Sequence, residues 1–243
     1  MSDVRYYKRT INKEQIQSTI LDDVRSLRVY LPPGYNELSS YPVIYCQDGE
    51  QFFNFGRIAT HATRLILEED LEPVIIVGVD VKLSKRTSEY APEGERFEIY
   101  KEFFIHELLP FIEGKYPVRN HKSERIIAGD SLGGTVSLHL ALDHPDLFQK
   151  VISLSGAFLD RTQARIELED DLSWLELYMI IGLQEDVVKT ERDTFDFLQA
   201  NRITKGILLE KKTKLKYVEK DGEHLWGFWQ NELEEILKYF LKG

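Results

Sequence analysis

Several features that would point to particular classes of protein are scarce in this sequence. It has one cysteine, Cys46, in 243 residues, so no disulfide can form within the chain. No apolar run approaches the roughly 20 residues that a membrane-spanning helix needs. The opening residues, MSDVRYYKRTINKEQ, lack the apolar core and cleavage site of a secretory signal. We therefore expect a cytoplasmic protein with no membrane partner.

Positive charge is also in short supply. The chain has 31 Lys and Arg against 41 Asp and Glu, which gives a net charge of −10. Nucleic acids and anionic membranes bind to basic surfaces, so we expect no nucleic-acid partner. His106 begins HELLP, which lacks the second histidine of the zinc motif H-E-x-x-H, and no other His or Cys spacing suggests a metal. We expect no metal and no other cofactor.

What the sequence does contain is the composition of a folded globular protein. It is 42% hydrophobic and 30% charged, which allows a sizeable core. We find no internal repeat, no low-complexity tract and no linker. The length and this uniformity favour a single domain over residues 1–243.

Predicted strands alternate with predicted helices along most of the chain. Continuous apolar runs such as PVIYC and PVIIVGV are typical of strands buried on both faces of a parallel sheet. The first strands have no helices between them, which favours an antiparallel edge. The pattern predicts an α/β fold: a mostly parallel central sheet with an antiparallel N-terminal edge and helices on both faces.

Three segments give more specific expectations. Apolar residues three and four apart predict a helix over 94–118, which Pro110 should kink or shorten. A second helix is predicted over 190–202. The polar, acidic segment 159–174 follows a predicted strand and is interpreted either as a mobile cover over a site or as a surface loop.

The stretch IIAGDSLGG places three glycines around one serine, between a predicted strand and a predicted helix. Gly129-x-Ser131-x-Gly133 matches the nucleophile-elbow pattern G-x-S-x-G. A serine on so tight a turn needs flanking glycines, because larger side chains would collide with the adjoining strand and helix. The pattern also occurs by chance, so the strand before it and the apolar helix after it are the evidence for a nucleophile.

A nucleophilic serine needs a base, and this motif needs its partners in the chain order Ser, acid, His. Of six histidines, only His224 follows the serine after a late predicted strand, in the turn EKDGEH. The acid should follow the strand LYMIIG, where Glu185 and Asp186 are adjacent. Glu185 is favoured because it lies three residues after Gly182, with a valine three residues further on, but Asp186 remains an alternative.

The order of these motifs resembles the putative-esterase family of α/β-hydrolases. That group includes enterochelin esterases, feruloyl esterases, S-formylglutathione hydrolase and the antigen 85 mycolyltransferases. The resemblance covers nearly the whole chain and rests on VYLPPGY, YPVIYCQDGEQFF, RTSEYAP, FFIHELLPFIEGKYPV, IAGDSLGG and DGEHLWGFW. The chain departs from the family at the acid, where Gly-Leu-Gln-Glu-Asp replaces the Gly-Thr-x-Asp of many members.

The resemblance implies an α/β-hydrolase fold and a set of site residues. Ser131 would be the nucleophile and His224 the base, with Glu185 or Asp186 as the acid. The oxyanion would be held by two backbone amides, those of Leu132 and Glu50.

The implied function is a serine esterase that cleaves carboxylic esters through an acyl-enzyme intermediate. Its partner would be a small-molecule ester, with aromatic and siderophore-type esters as the substrate classes. Two alternatives stay open: an acyltransferase on the same fold, and a non-catalytic binding module. The sequence also leaves the oligomeric state open, a homo-oligomer included.

Overall fold

The structure, a computed structural model, describes residues 8–242 and is built around an eight-stranded sheet. Within these residues the strands are β1 (Thr10–Ser18), β2 (Asp23–Leu31), β3 (Val43–Gln47), β4 (Ile75–Val79), β5 (Arg125–Asp130), β6 (Lys150–Leu154), β7 (Glu176–Gly182), β8 (Val188–Lys189), β9 (Thr194–Phe195) and β10 (Lys214–Lys220). The large sheet has the order β1-β2-β4-β3-β5-β6-β7-β10, and β8 and β9 form a separate hairpin.

The direction of the strands follows the prediction. β1 pairs with β2, and β2 with β4, in antiparallel fashion, whereas every pair from β4 to β10 is parallel. The predicted α/β-hydrolase architecture, with its antiparallel N-terminal edge, is therefore confirmed. The carboxyl ends of the six parallel strands, β4, β3, β5, β6, β7 and β10, consequently lie at the same edge of the sheet.

Helices cover both faces of the sheet. They are α1 (Gly49–Asn54), α2 (Ile58–Glu68), α3 (Leu83–Tyr90), α4 (Phe97–Phe103), α5 (Leu109–Lys115), α6 (Leu132–Asp143), α7 (Asp160–Glu167), α8 (Phe197–Glu210) and α9 (Trp226–Leu241). Among residues 8–242, no helix has both the length and the apolar character needed to cross a membrane.

The core is divided by the sheet into two layers, because side chains on a strand alternate between its faces. On β3, Val43 and Tyr45 enter the larger layer, which α3 to α8 cover. Ile44 and Cys46 enter the other layer, under α1, α2 and α9. Cys46 is fully buried, and this burial raises the pKa of its thiol. The alternation explains why the central strands have runs of consecutive apolar residues.

The predicted helix over 94–118 is present but is not uniform. α4 runs into a π-helical turn over Phe104–Leu108, which continues into α5 without a break. Pro110 lies at the start of α5 and has no amide hydrogen for the carbonyl four residues earlier. The helix accommodates this by widening before Pro110 rather than by ending there.

The predicted helix over 190–202 is wrong in its first half. Residues 188–195 form the β8–β9 hairpin instead, closed by a hydrogen bond from the Thr190 amide to the Asp193 carbonyl, 2.9 Å long. The Asp196 side chain then caps α8 by accepting from the Gln199 amide at 2.7 Å. Because this cap fixes the first turn, the helix begins at Phe197 and continues to Glu210.

The segment 159–174 is not a plain surface loop, while its role as a mobile cover stays a prediction. Residues Asp160–Glu167 form α7, and Thr162 and Ile166 on one side of it are buried. Leu172, further along, is also fully buried. Within α7 the apolar residues are too few to predict a helix by periodicity, although the buried Thr162 and Ile166 anchor it.

Candidate active site

The candidate site lies where neighbouring parallel strands reach their carboxyl ends. In the order of the strands across the sheet, the polar side chains there are Ser131 after β5, Ser155 after β6, Glu185 after β7 and His224 after β10. Chain segments far apart in sequence are thus brought to one edge by the topology alone.

Ser131 occupies a strained backbone conformation between β5 and α6. Its φ of 52° and ψ of −121° lie in a region that side chains rarely adopt. Its amide donates to the Leu154 carbonyl at 2.9 Å, and its carbonyl accepts from the Ala157 amide at 3.0 Å. A Cβ on Gly129 would lie 2.1 Å from the carbonyl carbon of Gly133, so this turn can close only around a glycine. These contacts are the physical basis of the glycine pattern.

The helix that starts immediately after Ser131 is enclosed on all sides. Every residue of α6 from Leu132 to Leu142 is buried. Its N-terminus, with free amides and the positive end of the helix dipole, lies beside the serine. Negative charge that develops near Ser131 is therefore favoured by the main chain itself.

Glu185 and Asp186 differ sharply in their surroundings. Glu185 is completely buried, and its Oε2 accepts a hydrogen bond from Nδ1 of His224 at 2.6 Å. Asp186 is exposed. The structure therefore brings Glu185, and not Asp186, to the imidazole of His224.

Main-chain hydrogen bonds hold the Glu185 loop against the His224 loop. The Leu183 amide donates to the Lys220 carbonyl at 2.8 Å, and the Gln184 amide to the Gly222 carbonyl at 3.0 Å. These bonds extend the parallel pairing of β7 and β10 beyond the strands. A Cβ on Gly182 would lie 2.2 Å from the Gly222 carbonyl oxygen, so the approach of the loops depends on a glycine there.

Two aromatic rings restrict the imidazole of His224. Phe197, the first residue of α8, stacks on it with ring centroids 4.7 Å apart and planes 25° apart. Trp229 meets it nearly at a right angle, with centroids 5.0 Å apart. Only 14% of the His224 side chain is exposed, so the ring has little freedom to turn away from Glu185.

Ser131 and His224 both line a cavity of about 460 Å³, a volume within the range of small-molecule sites. Its other walls come from α3, the β8–β9 hairpin and the starts of α8 and α9. In the described part of the chain, no hydrogen bond joins the side chains of Ser131 and His224; such contacts often form only when substrate is bound. The remaining lining residues are Gln51, Leu83, Arg86, Thr87, Asp130, Leu132, Ala157, Leu159, Thr190, Glu191, Arg192, Phe195, Phe197, Leu225, Trp226 and Trp229.

The two residues predicted to hold the oxyanion lie in different places. Leu132 lines the cavity, whereas Glu50 does not, and its carboxylate pairs with Arg28 at 3.1 Å. Gln51 is the residue of this turn that lines the cavity.

Asp130, the residue before Ser131, belongs to a cluster of charged side chains with Arg86 and Asp48. The Arg86 guanidinium donates to both carboxylate oxygens of Asp48, at 2.8 and 2.9 Å, and lies 3.6 Å from the carboxylate of Asp130. Burial and the negative charge of Asp48 together raise the pKa of Asp130 to about 7, while Arg86 opposes the rise. Asp130, the residue before Ser131, thus titrates near neutrality.

Several lining residues gave no signal in the sequence. The β8–β9 hairpin contributes Arg192 and Phe195, with the guanidinium 5.8 Å from the ring centroid, and Arg192 also contacts Glu93 across the cavity rim. Phe197 was likewise unassigned, and Arg86 begins the quoted stretch RTSEYAP but was given no role there. The polar sequence of the hairpin gave no strand signal.

Comparison with known proteins gives a consistent result. The model of a family described as Putative esterase matches residues 18–240. The chain is 36% identical over 234 residues to the uncharacterised protein YjcH of Bacillus subtilis (strain 168), covering 96% of this chain and 98% of that protein.

Two solved structures share the fold. A ferulic acid esterase superposes with a TM-score of 0.83 at 21% identity, covering 97% of this chain and 99% of that one. An enterobactin esterase from Shigella flexneri gives a TM-score of 0.81 at 19% identity, covering 95% of this chain and 59% of that one.

Proposed function

The chain belongs to the putative esterase family, and we propose that it hydrolyses carboxylic esters through a triad of Ser131, His224 and Glu185. One observation carries the choice of residues. A 2.6 Å hydrogen bond joins the His224 imidazole to the buried Glu185 carboxylate, in the cavity that Ser131 lines. A carboxylate on Nδ1 leaves Nε2 as the nitrogen that accepts a proton.

The reaction has two steps. The Ser131 oxygen attacks the ester carbonyl while Nε2 of His224 takes its proton, and the imidazolium then gives that proton to the departing alcohol. The acyl group is now bonded to Ser131. Water, deprotonated by the same imidazole, attacks the acyl carbon; the imidazolium then returns this proton to the Ser131 oxygen as the acyl–serine bond breaks, which releases the acid and the free serine. The buried Glu185 carboxylate stabilises the imidazolium in both steps.

The tetrahedral intermediate carries an oxyanion that needs hydrogen-bond donors. We assign one to the Leu132 amide, at the N-terminus of α6 and on the cavity wall. The second comes from the turn after β3, for which the sequence predicts the Glu50 amide. Gln51 supports this turn, since its side chain accepts from the Trp226 indole at 2.9 Å.

The walls of the cavity favour an aromatic group in the substrate. Phe195 and Phe197 are stacked with ring centroids 5.6 Å apart, and Trp226 and Trp229 meet at 90°. All four line the cavity around His224. The names of the two similar structures, ferulic acid esterase and enterobactin esterase, are consistent with a small aromatic ester.

Rapid-mixing kinetics with p-nitrophenyl acetate test the chemistry. We expect a burst of about one p-nitrophenolate per chain, followed by slower turnover, and no burst from Ser131→Ala. Absence of both burst and turnover would contradict the proposal. Retention of the burst by Ser131→Ala would move the nucleophile elsewhere.

A matched pair of esters tests the substrate class. Methyl cinnamate and methyl 3-cyclohexylpropenoate differ chiefly in the aromaticity of the ring. We expect kcat/KM to favour the aromatic ester by about three- to tenfold. Equal values would remove the aromatic preference. A product ester formed with added ethylene glycol, in place of the free acid, would identify an acyltransferase.

A further inference from the structure

The loop after β6 carries a second serine in an unusual conformation. Ser155 is fully buried, has a φ of 48°, and donates its amide to the Ile180 carbonyl at 2.8 Å. β6 lies between the strand that leads to Ser131 and the strand that leads to Glu185. No motif singled out Ser155, and the proposed mechanism gives it no role.

The hydroxyl of Ser155 lies between the indole of Trp229 and the carboxylate of Glu185. Nε1 of Trp229 is 2.8 Å from Oγ of Ser155, and Oγ is 2.6 Å from Oε1 of Glu185. An indole N–H can only donate, and an ionised carboxylate can only accept. The Ser155 hydroxyl must therefore accept from Trp229 and give its own hydrogen to Glu185.

With this donor, the Glu185 carboxylate is held at both oxygens. Oε1 accepts from the Ser155 hydroxyl and from the Gly182 amide, the latter at 2.8 Å, while Oε2 accepts from His224. The Gly182 amide belongs to the end of β7, the strand that leads directly into the Glu185 loop. Ser155 is the donor to this carboxylate from a different strand, so it ties the acid to the sheet.

Trp229 contacts both ends of this arrangement. Its indole N–H fixes the Ser155 hydroxyl, and its ring packs nearly perpendicular to the imidazole of His224. Trp229 is itself almost completely buried, on the first turns of α9. Trp229 thus contributes to the orientation of both groups, the Glu185 carboxylate through Ser155 and the His224 imidazole directly.

We propose that Ser155, oriented by Trp229, is a positioning residue that aims the Glu185 carboxylate at His224. This inference rests on the proposed triad and adds a member that does not touch the substrate. Hydrogen bonds to a charged acceptor are short and strong, and misplacing a triad acid weakens the base without altering substrate binding. Loss of the hydroxyl should therefore lower kcat and leave KM unchanged.

The experiment compares two variants that lack the hydroxyl with a matched control. Ser155→Ala keeps a side chain in the strained conformation, whereas Ser155→Gly relaxes it, so their stabilities should differ. Ser153→Ala, two residues earlier at the end of β6, removes an equally buried hydroxyl that has no hydrogen-bond partner in the described residues. The measurements are kcat and KM for p-nitrophenyl acetate, together with urea unfolding.

We expect kcat to fall about tenfold in both Ser155 variants, with KM within about twofold of wild type. Ser153→Ala should keep kcat within about twofold of wild type. In a Glu185→Ala background, Ser155→Ala should change kcat by less than about twofold, because no carboxylate remains to be aimed.

Three results would overturn the inference. The first is an unchanged kcat in both Ser155 variants. The second is a loss of kcat that persists in the Glu185→Ala background, and the third is a loss whose size in Ser155→Ala and Ser155→Gly follows the loss in unfolding free energy; either of these marks a purely structural role. A wild type that forms no acyl-enzyme on Ser131 would instead remove the proposed function itself. If the wild type is acylated normally and the Ser155 variants keep its kcat, only the positioning role would be removed.

Discussion

The turn that carries Ser131 and the loops that carry Glu185 and His224 meet in one cavity but are built by different means. The serine is placed by its backbone, through a positive φ, a glycine contact and amide hydrogen bonds. The loops of Glu185 and His224 are also joined by main-chain hydrogen bonds, but the two side chains are oriented by other side chains, namely the hydroxyl of Ser155 and the rings that enclose the imidazole.

The two constructions should respond differently to substitution. A change in the turn that carries Ser131, here called the backbone side, distorts the fold, so its main cost is expected in stability. A change among the side chains that orient Glu185 and His224, here called the side-chain side, leaves the strands in place, so its main cost is expected in catalysis. The four substitutions below test this difference, in decreasing order of expected effect.

Glu185→Gln should produce the largest effect on the side-chain side. The amide is close in shape to the carboxylate but cannot stabilise the imidazolium, so we expect kcat/KM to fall about 10²- to 10⁴-fold. Steady-state kinetics measure this loss, and Asp186→Asn is the matched control, with activity close to wild type because Asp186 is exposed. Equal, small losses in both variants would mean that neither residue is the acid.

Gly129→Ala should show the cost on the backbone side. The new Cβ would lie 2.1 Å from the backbone of Gly133, which cannot yield without moving the turn. We expect the free energy of unfolding in urea to fall by about 3 kcal/mol or more. Gly206→Ala in α8 is the control, because a Cβ there meets nothing within 4 Å. It should stabilise the helix by about 0.5–1 kcal/mol, and equal effects of the two changes would contradict the account.

Asp130→Asn should remove a pH dependence from the free energy of unfolding that originates at the turn carrying Ser131. The pKa of Asp130 is about 7 in the folded chain against an ordinary 3.8. Between these values the unfolded chain releases its proton while the folded chain retains it. The contribution of Asp130 to the free energy of unfolding is therefore fully present below about pH 4. It is lost as pH rises through 7, by roughly 2–4 kcal/mol, because the buried carboxyl must then ionise.

Unfolding free energies measured from pH 4 to 7 test this sign. Relative to Asp130→Asn, which cannot ionise at this position, the wild type should lose stability as pH rises. A wild type that gains stability on the variant over that range would show that Asp130 is ionised in the fold.

Gln51→Leu should have the smallest effect. The Gln51 side chain accepts from Trp226 on the cavity wall, and we assign the oxyanion donors to backbone amides. We expect kcat to fall about threefold or less. A loss of about a hundredfold in kcat with unchanged KM would identify the Gln51 amide group as an oxyanion donor.

The same contrast determines how much of the site could be predicted from the sequence. The elbow was predictable because a backbone constraint leaves glycines at fixed spacing, as at Gly129 and Gly133. Glu185 and Asp186 could not be separated with certainty, because only burial distinguishes them and burial depends on the packing of α8. Trp229 lies in the quoted stretch DGEHLWGFW, but its hydrogen bond to Ser155 could not be predicted, since it joins positions far apart in the chain.

The fold shows a parallel limit. Strands buried on both faces were recognisable as apolar runs, so the order of elements and the fold class followed from the sequence. The β8–β9 hairpin was missed because its strands are two residues each and its residues are polar. The start of α8 was misplaced for the same reason, as the Asp196 cap was overlooked within a charged segment.

The most direct test of the central claim is covalent labelling with a fluorophosphonate, which reacts with activated serines without requiring the natural substrate. The account predicts about one adduct per chain, located on Ser131 by mass spectrometry, absent from Ser131→Ala and slowed at least about a hundredfold in His224→Ala. No adduct, under conditions that label a control esterase, would contradict it. So would an adduct on another residue, or one that forms equally fast without His224.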